Sequence, residues 1–272
     1  MPVGSRELQP RRASELLVAF RWIVLRRVVH RVRAYLRPLP LRAGSGLSKV
    51  GERLGIDWLT YNPFVFRFYH MHAVESAPAV ADTFQDVFPW ARRFLDVGAG
   101  SGAFAAELQR RGHTVLAFEH SRLGRLIAQR QGVPVKPFDL AKNQPDPCEV
   151  DQFDVSFCFE VAEHLPPSLG DRLVTFVAAT SATVVFTAAP PGQGGTGHIN
   201  EQPAEYWISR FEGCGMRHRS DLQQRVAIGF ARARSRWLAT NVLVFTDDRR
   251  PCEAAPISDP ISRSRLRGKE PA

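Results

Sequence analysis

The sequence predicts an α/β fold built on a mostly parallel β-sheet, and three observations lead to it. From residue 93 onward, short apolar runs alternate with amphipathic segments of helical length. The first predicted strand runs directly into a glycine-rich loop, GAGSG, at residues 98–102. The second predicted strand ends in an acid, Glu119, 21 residues after Gly98. Strands that alternate with helices in this way form βαβ units around a parallel sheet.

The individual elements follow from apolar spacing and from breaks at glycine and proline. Residues 15–37 are predicted to form a helix, and the aromatic-rich residues 51–90 a mostly helical segment. Strands are predicted at residues 93–98, 114–120, 133–139, 153–160, 182–190 and 241–248. The helices between them are predicted at residues 103–111, 122–131, 169–180 and 203–215.

These elements divide the chain into four parts. Residues 1–50 are a basic helical extension with its linker, and residues 51–92 a helical lid or cap. Residues 93–247 are the α/β domain. Residues 248–272 are rich in proline, serine and arginine without apolar periodicity, which predicts a disordered tail.

The positive charge is confined to the N-terminal extension. The chain has a formal net charge of +9, and residues 1–50 carry 11 Lys and Arg against two acids. The rest of the chain is balanced, which argues against a nucleic-acid-binding groove on the folded domain. Within residues 11–37, arginines are interspersed with apolar residues, as in helices that lie on anionic membrane surfaces or dock onto partners. The alternative is an amphipathic helix that packs onto the domain.

The cysteines and the hydropathy indicate the compartment. Cys148, Cys158, Cys214 and Cys252 form neither a CxxC pair nor a zinc-like spacing, which is typical of a reducing environment. No segment has the about 20 apolar residues of a membrane-spanning helix, and no secretory signal is visible. We expect a cytoplasmic protein, which would be membrane-peripheral if residues 11–37 bind a membrane surface.

A glycine loop between a strand and a helix lets a ligand approach the backbone, and an acid after the second strand can accept hydrogen bonds from ribose hydroxyls. LDVGAGSG, residues 95–102, resembles motif I of the class I S-adenosylmethionine (SAM) methyltransferases. The resemblance spans residues 93–247. It implies a Rossmann-like fold with a seven-stranded, mostly parallel sheet, and SAM as the cofactor.

The same resemblance assigns parts of the cofactor to parts of the chain. The motif-I acid and loop hold the methionine end, the acid after the second strand holds the ribose, and PFDL at residues 137–140 contacts the adenine. The implied cofactor-binding residues are Asp96, Gly98, Ala99, Gly100, Gly102, Glu119, Asp139, Leu140 and Phe159. The alternatives are a Rossmann-type dehydrogenase and an inert α/β domain.

FCFEVAEHLPP, residues 157–167, places two carboxylates and an imidazole at the end of a predicted strand. It resembles the matching segment of the polyprenyl-hydroxyphenol O-methyltransferases of quinone biosynthesis and of small-RNA 2′-O-methyltransferases. The resemblance implies that Glu160, Glu163 and His164 hold a divalent cation, Mg²⁺ or Mn²⁺, that binds the acceptor oxygen. One alternative is that Glu160 only orients SAM, Glu163 pairs with an arginine and His164 caps or packs. Another is that His164 is a metal-free general base.

The glycine-rich loop after the fifth predicted strand contains His198. Its role is left open between a second base, a metal ligand, an acceptor contact and a simple backbone hydrogen bond. The loop is similar to that of uncharacterised bacterial methyltransferases of glycans or small molecules. We predict Glu160, His164 and His198 as the catalytic residues.

The predicted function is SAM-dependent methyl transfer to an oxygen, or a nitrogen, of a small-molecule, glycan or lipid-linked acceptor. Nucleic acid is not an expected partner. The alternatives are a catalytically inactive SAM-binding-fold protein with a regulatory or assembly role, and a nucleotide-dependent reductase.

Overall fold

A computed structural model of the chain describes residues 47–51, 54, 60, 62–142 and 153–248. The helix predicted at residues 15–37, and with it the predicted membrane contact, lies outside the described residues, as does the predicted tail beyond Asp248. Within the described part, no helix is both long enough and apolar enough to span a membrane.

Seven strands form one sheet, which confirms the predicted mostly parallel architecture. They are β1 (Arg93–Val97), β2 (Thr114–Glu119), β3 (Val135–Pro137), β4 (Val155–Phe159), β5 (Thr183–Thr187), β6 (Arg217–His218) and β7 (Val242–Thr246). Their order is β3-β2-β1-β4-β5-β7-β6, and β7 alone runs antiparallel to its neighbours. From β1, the chain adds β2 and β3 on one side and then β4 and β5 on the other. In such sheets a ligand crevice forms outside the carboxyl ends of the strands, at the point where the strand order reverses.

From Pro63 onward, helices form a layer on each face of the sheet. They are α1 (Pro63–Val87), α2 (Ala103–Arg110), α3 (Arg122–Arg130), α4 (Pro167–Thr180), α5 (Ala204–Gly213), α6 (Ser220–Phe230) and α7 (Trp237–Asn241), with a 3₁₀ turn at Ala162–His164. One apolar cluster joins α1, α2, α3, α6 and α7 to the sheet, and a second joins α4 and α5 to the other face. Neighbouring strand residues enter different clusters because side chains alternate across a strand, as Phe94 and Leu95 do.

The sequence pattern predicts nothing between residues 215 and 241, where the structure has β6, α6 and α7. β6 is too short to leave a periodic signal, and Gly229 interrupts the apolar pattern of α6. Gly229 lies against α1 so closely that a Cβ there would overlap Thr83 Oγ1. Close packing on α1, rather than local propensity, therefore accounts for the position of α6.

Helix α1 lies in the segment predicted as a lid. It begins at Asn62, whose Oδ1 accepts hydrogen bonds from Phe64 N at 3.1 Å and Val65 N at 3.3 Å. Its C-terminal half is part of the core, with Phe84 fully buried. Its N-terminal half reaches the glycine loop, since His70 Nδ1 lies 2.8 Å from Ser101 Oγ. A lid role for this half stays a prediction.

Phe84 is the centre of the core beneath α1. Its ring centroid lies 5.4 Å from that of Phe157, 5.6 Å from that of Phe94 and 6.1 Å from that of Phe230. It thereby joins α1 to β1, β4 and α6.

We expect Phe84→Ala to lower the free energy of unfolding by roughly 3–5 kcal/mol, because it leaves a cavity that the surrounding rings cannot fill. Phe68→Ala is the matched control on the same helix, since Phe68 is 40% exposed. It should cost no more than about 1 kcal/mol. Denaturant titration measures both, and equal losses for the two variants would contradict the assigned core.

Candidate functional site

The glycine loop follows β1 at the carboxyl edge of the sheet. Gly98 N and Ala99 N both donate to Phe118 O of β2, at 2.8 and 3.0 Å. A Cβ on Gly98 would overlap the Val161 side chain, and one on Gly102 would lie 2.7 Å from Ala128 Cβ. At Gly100, in contrast, nothing lies within 4 Å of the Cβ position. The outer two glycines therefore permit packing, whereas the backbone at Gly100 faces open space.

Glu119 ties this loop to the start of α3. Its Oε2 accepts from Gly100 N at 2.6 Å and its Oε1 accepts from Ser121 N. Burial raises the pKa of Glu119 above its ordinary value, and the N–H groups of Ser121 and Gly100 partly offset that rise. The predicted ribose-binding acid is thus buried at the mouth of β2, where it also shapes the loop.

Asp96 is buried within β1, one residue before the end of the strand. Among the described residues its Oδ2 has no hydrogen-bond partner. Burial, followed by the negative charge of Glu119, raises the pKa of Asp96 well above its ordinary value. A buried acceptor without a partner indicates a place where a ligand donor can bind.

The predicted adenine contacts lie after β3. Asp139 Oδ1 accepts from Ala141 N at 3.0 Å, and Oδ2 lies 3.3 Å from Lys142 Nζ. Desolvation alone would raise the pKa of Asp139, but Ala141 N–H and Lys142 outweigh it and lower the pKa. Leu140 is buried, and its carbonyl accepts from Arg172 Nη1 at 3.0 Å.

Phe159, predicted as a cofactor contact, ends β4. Its ring lies in the core, and the ring centroid is 5.1 Å from that of Phe157, 5.5 Å from that of Phe104 and 5.6 Å from that of Phe230. The structure therefore shows its side chain as a packing residue.

Glu160 follows β4 in a left-handed conformation, with φ of 55°, which is uncommon outside glycine. Its N–H donates to Thr187 O and to Thr187 Oγ1 of β5. Its Oε1 accepts from Asn241 Nδ2 at 3.1 Å and its Oε2 accepts from Gln193 Nε2 at 3.3 Å. Two side-chain amides therefore hold this carboxylate, and no local sequence signal identifies Gln193 or Asn241 as its partners.

Glu163, in the 3₁₀ turn, is completely buried. Neither of its carboxylate oxygens makes a hydrogen bond of ordinary geometry among the described residues, although Glu160 and the Ala189 N–H lie close enough to affect its pKa. Burial, and next the negative charge of Glu160, raise the pKa of Glu163 well above its ordinary value. Its backbone anchors the glycine-rich loop, because Glu163 O accepts from Ile199 N at 2.8 Å and from Asn200 N at 3.0 Å.

His164 and His198 lie together beside Glu163, with ring centroids 4.9 Å apart. His164 Nδ1 is 3.2 Å from Gly197 O, and His198 Nδ1 is 2.8 Å from Glu201 Oε1. Carbonyl and carboxylate oxygens only accept, so each Nδ1 donates and each neutral ring has its unprotonated nitrogen at Nε2. Burial lowers the pKa of His164 to about 4, against a smaller opposite effect of Gly197 O.

The structure brings together Glu163, His164 and His198, whose potential ligand atoms all lie within 4.8 Å of one another. This differs from the predicted set of Glu160, Glu163 and His164. Glu160 was expected to join Glu163 and His164 as a ligand, but its backbone is left-handed and its carboxylate binds Asn241 of α7. His198 takes the third position.

A family model for the methyltransferase domain matches residues 24–221. Among curated proteins, the ubiquinone biosynthesis O-methyltransferase of Aeromonas salmonicida is 29% identical over 119 residues, which are 42% of this chain and 46% of that protein. The protein of the same name from Salmonella arizonae is 33% identical over 79 residues, 28% of this chain and 33% of that protein. The chain therefore covers less than half of the length of these relatives.

Solved structures share the fold. A TehB-like SAM-dependent methyltransferase from Corynebacterium glutamicum has a TM-score of 0.51 at 16% identity, covering 68% of this chain and 100% of that one. The magnesium protoporphyrin IX methyltransferase of Synechocystis, solved with bound SAH, has a TM-score of 0.50 at 14% identity, covering 74% of this chain and 98% of that one. The family match spans most of the chain, and on that ground the chain belongs to the methyltransferase-domain family.

Proposed function

We propose that this protein transfers a methyl group from SAM to an oxygen, or a nitrogen, of a small-molecule, glycan or lipid-linked acceptor. The observation that carries the proposal is the pair His164 and His198, which lies at the same sheet edge as the open glycine loop. Family membership and the O-methyltransferase names of the curated relatives support it. Those names favour an oxygen as the acceptor atom.

The residues of the crevice fit SAM. Asp96 Oδ2 is a buried acceptor that suits the cationic amino group of the methionine end. Glu119 retains lone pairs for ribose hydroxyls beyond its bonds to Gly100 and Ser121, because each carboxylate oxygen has about two. The space above Gly100 lets a ligand approach the backbone. SAM supplies an electrophilic methyl group when bound.

The histidine pair accepts the proton that the acceptor hydroxyl or amine loses. A pKa of about 4 leaves His164 neutral near pH 7 but makes it a weak proton acceptor. His198 Nδ1 lies 2.8 Å from Glu201 Oε1, which leaves Nε2 as the unprotonated nitrogen of its neutral ring. We therefore assign the proton to Nε2 of His198 and the orientation of the acceptor oxygen to His164.

A divalent cation is a second candidate for the same place, and the buried carboxylate of Glu163 favours it. Glu163, His164 and His198 would hold the ion, and each histidine has its Nδ1 engaged by an oxygen acceptor, as metal-bound histidines generally do. One carboxylate with two imidazoles suits Mn²⁺ at least as well as Mg²⁺. A bound cation supplies Lewis acidity toward the acceptor hydroxyl.

The basic residues 11–37 support a further proposal, contact with an anionic membrane surface, which would suit a lipid-linked acceptor.

Gly100→Ala should weaken SAM binding at least about tenfold, because its methyl group enters the space assigned to the cofactor. Gly112→Ala is the matched control, since Gly112 also has a positive φ and an empty Cβ position but lies at the opposite end of β2. Both changes place an alanine at a positive φ, which costs about 1–2 kcal/mol in each case. Calorimetry with SAM measures the difference. Equal affinities in the two variants would place the cofactor elsewhere.

Turnover then separates an enzyme from an inactive SAM-binding protein. Release of S-adenosylhomocysteine in the presence of a phenolic acceptor is expected from the full chain. SAM binding without release across phenolic, sugar and amine acceptors would favour the inactive alternative.

If the cation proposal holds, Mn²⁺ binds the full chain in calorimetry, and Glu163→Gln weakens that binding at least about tenfold, because it removes the anionic ligand. Glu205→Gln removes an exposed carboxylate in α5 and should leave binding unchanged. Methyl transfer should fall with a chelator and return with Mn²⁺. A wild-type protein that binds no Mn²⁺ and ignores the chelator would leave the metal-free histidine pair as the mechanism.

Replacing four N-terminal arginines by glutamine should reduce sedimentation with anionic vesicles at least about tenfold, since each basic residue near such a surface contributes about 1 kcal/mol. The four are Arg26, Arg27, Arg31 and Arg33. The control replaces four exposed arginines of the folded domain, Arg122, Arg130, Arg232 and Arg236. Equal loss in both variants, or no vesicle binding by the wild type, would rule out a membrane role for residues 11–37.

A further inference from the structure

The Glu201 carboxylate accepts hydrogen bonds from three N–H groups of the glycine-rich loop. Oε1 accepts from His198 Nδ1 at 2.8 Å and from Gly194 N at 2.7 Å, while Oε2 accepts from Gly192 N at 2.8 Å. The hydrogen bond from His198, followed by that from Gly192 N, lowers the pKa of Glu201. Both oxygens of Glu201 therefore accept from N–H donors, and the carboxylate acts as the acceptor in all three contacts.

This carboxylate determines which nitrogen of His198 carries the proton. An ionised carboxylate accepts but cannot donate, so Nδ1 of His198 must be protonated and Nε2 of the neutral ring is not. A flip of the ring would bring Cδ2 to the position of Nδ1 and would remove the hydrogen bond to Glu201. Glu201 thus selects both the tautomer and the orientation of the ring.

The backbone of the loop encloses the ring from another direction. A Cβ on Gly195 would overlap His198 Nε2 and would lie 2.5 Å from Cε1 and 2.8 Å from Cδ2. Gly192 and Gly194, whose N–H groups bind Glu201, have φ of 85° and 67°, which glycine adopts readily. The loop backbone therefore passes around the imidazole ring of His198, and the hydrogen bonds to Glu201 hold the loop in this conformation.

The other end of the loop is fixed to the 3₁₀ turn. Ile199 N and Asn200 N donate to Glu163 O, and His164 Nδ1 donates to Gly197 O. Glu201 fixes the angle of the His198 ring, and these contacts fix its distance from Glu163 and His164.

We propose that Glu201 is a positioning residue for His198, which it holds with Nδ1 protonated and with Nε2, beside Gly195, unprotonated. The proposal rests on the proposed role of His198, and it holds whether Nε2 receives a proton or binds a cation. The rival explanation is that Glu201 only clamps the loop through Gly192 and Gly194, with no effect on the imidazole tautomer.

Nitrogen-15 NMR of the full chain labelled at histidine reads the tautomer directly, near neutral pH. His198 is identified by the signals missing from His198→Asn. We expect Nδ1 protonated and Nε2 unprotonated in the wild type. Glu201→Ala should lower the ratio of the Nδ1–H to the Nε2–H form by about tenfold or more, which matches the strength of a hydrogen bond to a charged group.

Glu205→Ala is the control, because it removes an exposed carboxylate from α5, close in sequence, and should leave the ratio unchanged. Glu201→Asp keeps the charge but shortens the side chain by one methylene, so it should also lower the ratio of the two tautomers. This variant replaces Glu201→Ala in the test if the alanine variant does not fold. A wild-type ring protonated at Nε2 would overturn the proposal without any variant. An unchanged ratio in the Glu201 variants would support the rival clamp instead.

Titration of the same samples with SAM keeps this proposal separate from the proposed function. Glu201→Ala should bind SAM as the wild type does, since Glu201 belongs to the acceptor side of the crevice. A wild-type protein that fails to bind SAM would remove the proposed function, whereas the tautomer result would still decide the role of Glu201.

Discussion

The parallel pairing of β1 with β4 brings the glycine loop and the turn that contains Glu160, Glu163 and His164 to the same edge of the sheet. The two strands pair in a register that places Asp96 opposite Phe157, so that both end at the same edge of the sheet. The glycine loop after β1 and the turn after β4 are therefore neighbours, and Val161 occupies the space that a side chain at position 98 would need. A slip of one residue would turn the side chains of a strand to the wrong face and would separate these two loops.

This edge concentrates acidic groups that are costly to bury. Asp96, Glu119 and Glu163 are all buried there, and burial is the first cause of the raised pKa of each. Backbone N–H groups donate to the Glu119 carboxylate and reduce the cost of burying it. Oxygens of Asp96 and Glu163, in contrast, make no hydrogen bond of ordinary geometry within the described residues. The aromatic core around Phe84 offsets such a cost elsewhere in the molecule. Perturbed carboxyl groups in a crevice are typical of functional sites.

The acceptor side of the crevice depends on contacts between segments far apart in the chain. Asn241 of α7 holds the Glu160 carboxylate across 81 residues, together with Gln193 from the glycine-rich loop. The same loop is bound to Glu163 O at Ile199 and Asn200. Loop, 3₁₀ turn and α7 therefore support one another, and the strained backbone of Glu160 lies where they meet.

The sequence by itself determined six of the seven strands, the glycine loop and the position of Glu119, because these follow from local periodicity and from the spacing of glycines and acids. The same local order placed His164 and His198 on neighbouring loops. The tertiary structure alone decided which groups meet. Glu160 departs from the expected cation group because its left-handed backbone turns it toward Asn241, and His198 enters that group because Glu201 and the loop glycines fold around its ring. Such contacts join residues with no shared periodicity, so only the packing of distant segments establishes them.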